Sequence, residues 1–77
     1  MFTEKKIISI ISKCLKEKIR LNSNTNNTEN WDSIGHLQIL ASLDKVSKGK
    51  VSKINEIADV TSVEAIIKIL RKKKLLK

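Results

Sequence analysis

The chain has 77 residues, of which 40% are apolar and only 3% aromatic, and a formal net charge of +8. A fold of this length buries only about 60 to 70% of the surface that its unfolded form exposes, so it forms one domain, 1–77, too small for an enclosed active site; a carrier or binding role fits better than an enzyme. The single cysteine excludes an internal disulfide framework and a multi-cysteine metal site. The run from Ile7 to Ile11 is too short for a signal-peptide core or a membrane span, which predicts a soluble, unprocessed, cytoplasmic protein.

The charge is unevenly placed. Residues 1–20 carry six basic and two acidic side chains, residues 48–77 carry nine and three, and residues 21–47 carry one and three. The middle of the chain is therefore mildly acidic, which weakens the usual inference from a basic balance to a nucleic acid or an anionic membrane.

From Thr3 to Ile19, the residues Ile7, Ile8, Ile10, Ile11, Cys14, Leu15 and Ile19 fall on one broad face at helical period, predicting a first helix with Thr3 as its N-cap. Lys5, Lys6, Lys13, Lys16 and Lys18 occupy the opposite face or its margins and read as a solvated surface. Residues 21–30 are nearly all turn formers whose short polar side chains compete for backbone hydrogen bonds. They predict a loop longer than the usual connection of about 4 to 6 residues, of the kind that is often functional or mobile.

A second helix is expected from Asp32 or Ser33 to about Val46. Its apolar arc is wide, with Ile34, Leu37, Leu40 and Ala41 on one side and Ile39, Leu43 and Val46 toward another, as for a central helix gripped by several neighbours. Ser47-Lys48-Gly49-Lys50 closes it, with the glycine near the C-cap. Ser52 is expected to cap a short third helix containing Ile54 and Ile57, and Thr61-Ser62-Val63-Glu64 has capping-box spacing for a last helix that buries Val63, Ile66, Ile67 and Leu70. Arg71 to Lys77 loses this periodicity and is expected to fray. The predicted fold class is all-α: a small four-helix bundle with a long loop between helices 1 and 2 and a short third helix.

Chemistry concentrates at Trp31-Asp32-Ser33-Ile34-Gly35-His36-Leu37, where a polar loop meets an amphipathic helix. A serine at a helix start is exposed, rigidly based, and placed where backbone amides and the helix dipole favour a phosphate. Taken alone, Asp32-Ser33 reads first as an ordinary N-cap. Trp31 reads as a loop anchor packed on the core, His36 as an exposed helix residue, and Cys14 as a small core residue rather than a reactive thiol. No second His, Cys or carboxylate group in the pattern accompanies His36, so neither a metal site nor a nucleophile triad is predicted.

The ordered set of a long first helix, a long loop, residues 31–37, and Ile57-Ala58-Asp59-Val60-Thr61-Ser62-Val63 before the last helix resembles the acyl carrier proteins across the whole chain. In that family an Asp-Ser-Leu motif opens the second helix, and a transferase joins the serine hydroxyl to phosphopantetheine by a phosphodiester. Ile34 stands here in place of the leucine. The resemblance implies a covalent phosphopantetheine arm on Ser33, bordered by Asp32, Ile34, His36 and Leu37, and an acyl or aminoacyl group carried as a thioester on the arm's thiol rather than on Cys14. It implies as partners a phosphopantetheinyl transferase and the enzymes that load and accept the acyl group, with the carrier itself a monomer without catalytic residues.

Two departures mark this chain. Many family members offer carboxylates along the second helix, whereas here only Asp44 follows the cap, with Lys45 beside it; and the family's Phe-Gly after that helix is replaced by Ser47-Lys48-Gly49. The first points to a carrier dedicated to one biosynthetic pathway, docking through Ile34, Leu37 and hydrogen bonds more than through charge, and the second to different local packing after the helix. The alternative is a small basic nucleic-acid-binding protein. One Trp and one Phe provide little base stacking, and the second helix lacks an Arg, Lys or Asn cluster to read base edges, so no specific nucleic acid is expected. A third reading makes Arg71 to Lys77 a weak basic surface anchor.

Overall fold

The computed structural model describes residues 2–76. Its elements are three α-helices, α1 (Glu4–Leu15), α2 (Ser33–Val46) and α3 (Val63–Lys72), with two 3-10 segments, Val51–Lys53 and Asn55–Asp59, between α2 and α3. The described chain is thus all-helical, without a strand; its two isolated β-bridges pair Phe2 with Leu76 and Asn24 with Ser62. The expected short third helix is instead the pair of 3-10 segments, and Ser52 caps neither. Its amide donates to Asp44 Oδ1 at 2.7 Å and its hydroxyl to the Gly49 carbonyl at 2.9 Å, which ties the segment to the end of α2. Among the described residues, no helix is long and apolar enough to cross a membrane.

Thr3 caps α1 by accepting a hydrogen bond from the Lys6 amide at 3.1 Å. Ile7, Ile11 and Leu15 then point into the core. The helix ends at Leu15, before Ile19, because local polar contacts outcompete its continuation. Lys16 turns left-handed with φ 54°, the Glu17 amide reaches back to the Ser12 carbonyl, and the Ser12 hydroxyl accepts from the Ile19 amide. Ile19 is buried all the same, delivered to the core by an irregular segment.

The connection from α1 to α2 is the long loop expected and is organised by its asparagines. Asn24 Oδ1 accepts from the amides of Asn26 and Asn27, while Asn27 Oδ1 accepts from the Asn24 amide and the Thr28 hydroxyl. These side-chain amides close turns that the backbone alone leaves open. The loop is also stitched to the entry of α3: Thr25 donates to the Thr61 carbonyl at 2.9 Å and Val63 to the Ser23 carbonyl at 3.0 Å.

The N-cap of α3 is Ser62, whose hydroxyl accepts from the Ala65 amide, so the Thr61–Glu64 capping box does not form. Val63, Ile66, Ile67 and Leu70 are buried, as the periodicity predicts. They join Ile7, Ile11, Leu15, Ile39, Leu43 and the 3-10 residues Val51 and Ile57 in one core. After α3 the chain does not fray through Leu76. The Leu75 amide bonds the Leu70 carbonyl, the Phe2 amide bonds the Leu75 carbonyl at 2.8 Å, and Phe2 and Leu76 are both buried; Lys77 lies outside the described residues.

Exposed ion pairs brace the end of α3, Arg71 with Glu4 at 2.7 Å and Lys73 and Lys72 with Glu56 at 3.1 and 3.6 Å. The hydrogen bond and charge of Lys73, with the charge of Lys72, hold the Glu56 carboxyl below its ordinary value of 4.5. A carboxylate with a lowered folded-state pKa stabilises the fold above its unfolded pKa and loses that contribution as pH falls through the folded value. Glu56→Gln is therefore expected to lower Tm slightly at neutral pH, and the difference from the parent should close as the medium is acidified below 4.5 and shrink in high salt. Thermal unfolding followed by circular dichroism across this pH range checks it.

Candidate functional site

The site begins with the cap of α2. Asp32, in extended backbone, accepts the Gly35 amide on Oδ1 at 2.8 Å, and Ser33 follows as the first helical residue with its side chain exposed. Among the described residues, the amides of Ser33 and Ile34 have no protein acceptor. Two free N–H groups, the positive end of a helix dipole and a hydroxyl therefore converge at one exposed point.

Gly35 fixes where that point stands. It is buried, and a Cβ there would run into the Asn30 carbonyl oxygen and lie 2.9 Å from Leu15 Cδ2. Asn30 in turn donates from Nδ2 to the Leu15 carbonyl at 2.8 Å, satisfying an orphan carbonyl at the end of α1, and from its amide to Glu17 Oε1 at 3.1 Å. The first turn of α2 thus sits directly on the last turn of α1. The sequence signal for this is Gly35 inside a helical pattern, which commonly marks close packing.

Trp31 is 2% exposed and anchors the loop in the core. Its indole Nε1 donates to His36 Nδ1 at 3.1 Å, and the rings stack with centroids 6.1 Å apart. His36 is half-buried rather than exposed, because its Nε2 also lies 3.1 Å from the Ile57 carbonyl. An imidazole that accepts on Nδ1 must carry its proton on Nε2 to donate to that carbonyl, so the network selects the neutral Nε2–H tautomer. His36 is a strut joining the loop, α2 and the second 3-10 segment.

The two sides of the predicted apolar arc of α2 meet different surroundings. Ile39 and Leu43 are buried with Gly35, whereas Ile34 and Leu37 are 68% and 66% exposed. Ser33 opens onto a shallow groove of about 560 Å³ walled by Leu37, Leu40, Ala58 and Val60, with Trp31 and His36 at its base. Asp32 and Asp59 are the acidic residues along it. The five residues singled out in the sequence, Asp32, Ser33, Ile34, His36 and Leu37, lie within the first turns of α2, with Ile34 outside the groove and the other four lining it.

Cys14 lies at the α1–α2 contact, half-buried, with Sγ 3.1 Å from Ser42 Oγ, instead of deep in the core. Among the described residues, no group of three or more His, Cys, Asp or Glu side chains is arranged to hold a metal ion.

No family model, curated protein or solved structure matches the chain. The site is therefore judged on its own donor set. A phosphodiester fits it: the acceptor hydroxyl is exposed, the neighbouring amides are free, and Asp32 Oδ1 is engaged by Gly35.

Two substitutions probe this architecture. Gly35→Ala forces a methyl group against the Asn30 backbone, and overpacking of this kind costs about 1 to 3 kcal/mol, equivalent to a Tm loss of at least about 4 °C for a domain of this size. His36→Leu keeps apolar bulk but leaves the Trp31 N–H and the Ile57 carbonyl unpaired, also costing about 1 to 3 kcal/mol. Only His36→Leu should shift Trp31 fluorescence in the still-folded protein, read by emission spectra below the melting transition.

Proposed function

We propose that the chain is a non-enzymatic acyl carrier whose attachment residue is Ser33. The observation that carries this reading is the exposed Ser33 hydroxyl at the start of α2, beside free amides and held in place by the Asp32 cap and the buried Gly35. The motif Trp31 to Leu37 and its similarity to the acyl carrier proteins support the same assignment. In this reading the pair of 3-10 segments between α2 and α3 would correspond to the expected short third helix.

A phosphopantetheine arm, when bound, supplies a terminal thiol on which an acyl or aminoacyl group travels as a thioester. This chain's own residues have simpler tasks. Ser33 would supply the oxygen that bonds the phosphopantetheine phosphorus of coenzyme A as the pyrophosphate P–O bond breaks and adenosine 3',5'-bisphosphate leaves, and since among the described residues no basic side chain is hydrogen-bonded to Ser33, the modifying transferase would take the proton. The amides of Ser33 and Ile34 would hold the phosphate, and Asp32 fixes the helix start. Leu37 and Leu40 line the groove beside the attachment point, and the outward faces of Ile34 and Leu37 offer apolar surface to a transferase or to the enzymes that load and unload cargo. The nucleic-acid alternative has less support, because the exposed face of α2 at Ser33 is apolar rather than basic.

Intact mass after incubation with coenzyme A and a broad-specificity phosphopantetheinyl transferase tests the proposal. The parent should gain one phosphopantetheine and Ser33→Ala none. A folded parent left unmodified by several such transferases would overturn it, with salt-dependent binding to random DNA or RNA as the next measurement.

A further inference from the structure

At the end of α2 remote from Ser33, a second cavity of about 320 Å³ has Lys48, Lys50 and Lys74 at its polar side and Phe2, Val46 and Leu75 as its apolar walls. We infer that this pocket is a binding site for a phosphate group, either on a soluble ligand or on an anionic lipid. The inference is independent of the carrier reading.

Three observations carry it. First, the lysines come from two turns distant in sequence, the one after α2 and the one after α3, which meet at this cavity beside Phe2. Second, no carboxylate lines the pocket, and among the described residues none of the three lysines forms an ion pair, whereas the adjacent Arg71, Lys72 and Lys73 are all paired with Glu4 or Glu56. Third, the field there is positive after the helix ends are counted. The C-termini of α2 and α3 contribute about half a negative charge each, against three ammonium groups, leaving an excess of about two positive charges.

Lys48 and Lys74 are both held left-handed, with φ 58° and 61°. Glycine or asparagine adopts this conformation more readily, so asparagine can replace lysine at both turns without added backbone strain. The mixed lining suits a phosphate carried on an apolar body. At 1.5 Å per residue the length of α2 separates this pocket from Ser33 by about 20 Å, so both ends can be occupied together.

The test uses the full chain labelled with nitrogen-15 and titrated with inorganic pyrophosphate, alongside co-sedimentation with vesicles of phosphatidylglycerol or of phosphatidylcholine alone. Saturable amide shifts are expected at Phe2, at residues 47–50 and at residues 74–75. A pocket variant combining Lys48→Asn, Lys50→Gln and Lys74→Asn preserves left-handed tolerance at both turns and should weaken binding at least about tenfold. A control combining Lys5→Gln, Lys6→Gln and Lys13→Gln removes the same charge and should bind like the parent. If the pocket variant melts below the parent, Lys50→Gln alone serves, because Lys50 has ordinary right-handed backbone; it should weaken binding severalfold. Saturable pyrophosphate binding without sedimentation identifies a soluble phosphate ligand, and sedimentation with phosphatidylglycerol alone, lost in the pocket variant, identifies a lipid headgroup. Equal weakening by pocket and control variants, or no saturable response to either probe, overturns the inference.

Discussion

The absence of a side chain at Gly35 is the constraint on which the arrangement around Ser33 depends. It lets the first turn of α2 approach the Asn30 carbonyl and Leu15 more closely than any Cβ permits. The approach works in both directions. Asn30 closes the end of α1 through the Leu15 carbonyl, while the Gly35 amide closes the start of α2 through Asp32. Two helix termini, each with orphan backbone groups to satisfy, are thus completed by one compact junction. The same junction leaves Ser33 exposed on a rigid base.

Around that junction the polar loop acts as framework. Its asparagines hydrogen-bond within the loop, and its backbone bonds reach the entry of α3 through Thr61 and Val63. These internal bonds each contribute on the order of 1 kcal/mol. Burying an aliphatic side chain such as Ile66 or Leu43 contributes about 1.5 to 3 kcal/mol, so the core supplies most of the stability and the loop supplies geometry. The exposed ion pairs at Glu4 and Glu56 are weaker contributors. They hold the basic end of α3 against the protein.

Helix α2 is therefore a two-ended element. Its inner face holds Ile39 and Leu43 in the core, and its outer face leaves Ile34 and Leu37 in solvent beside Ser33. Its first turn gathers a hydroxyl, free amides and an apolar groove, and its last turn opens on a cavity lined with lysines. Trp31 and His36 connect the first of these ends to the loop and the second 3-10 segment, so the groove wall is braced from three directions.

Sequence by itself determined the helical class, the limits of α2, the four buried residues of α3 and the position of Ser33 at a helix start, because periodicity and caps act over a few neighbouring residues. It did not determine that α1 stops at Leu15. Ile19 keeps the apolar period, and only the contacts of Ser12 and Asn30 end the helix. The helical period sets Ile34 and Leu37 apart from Ile39 and Leu43 but does not say how deeply each side is buried, since an apolar arc gives no direction until a neighbouring helix occupies one side of it. His36 became a strut, and Leu76 a core residue, through partners far away in the chain, Ile57 and Phe2. Such pairings have no local pattern to betray them. They exist only once the chain has closed on itself, which is why the tertiary structure alone decided them.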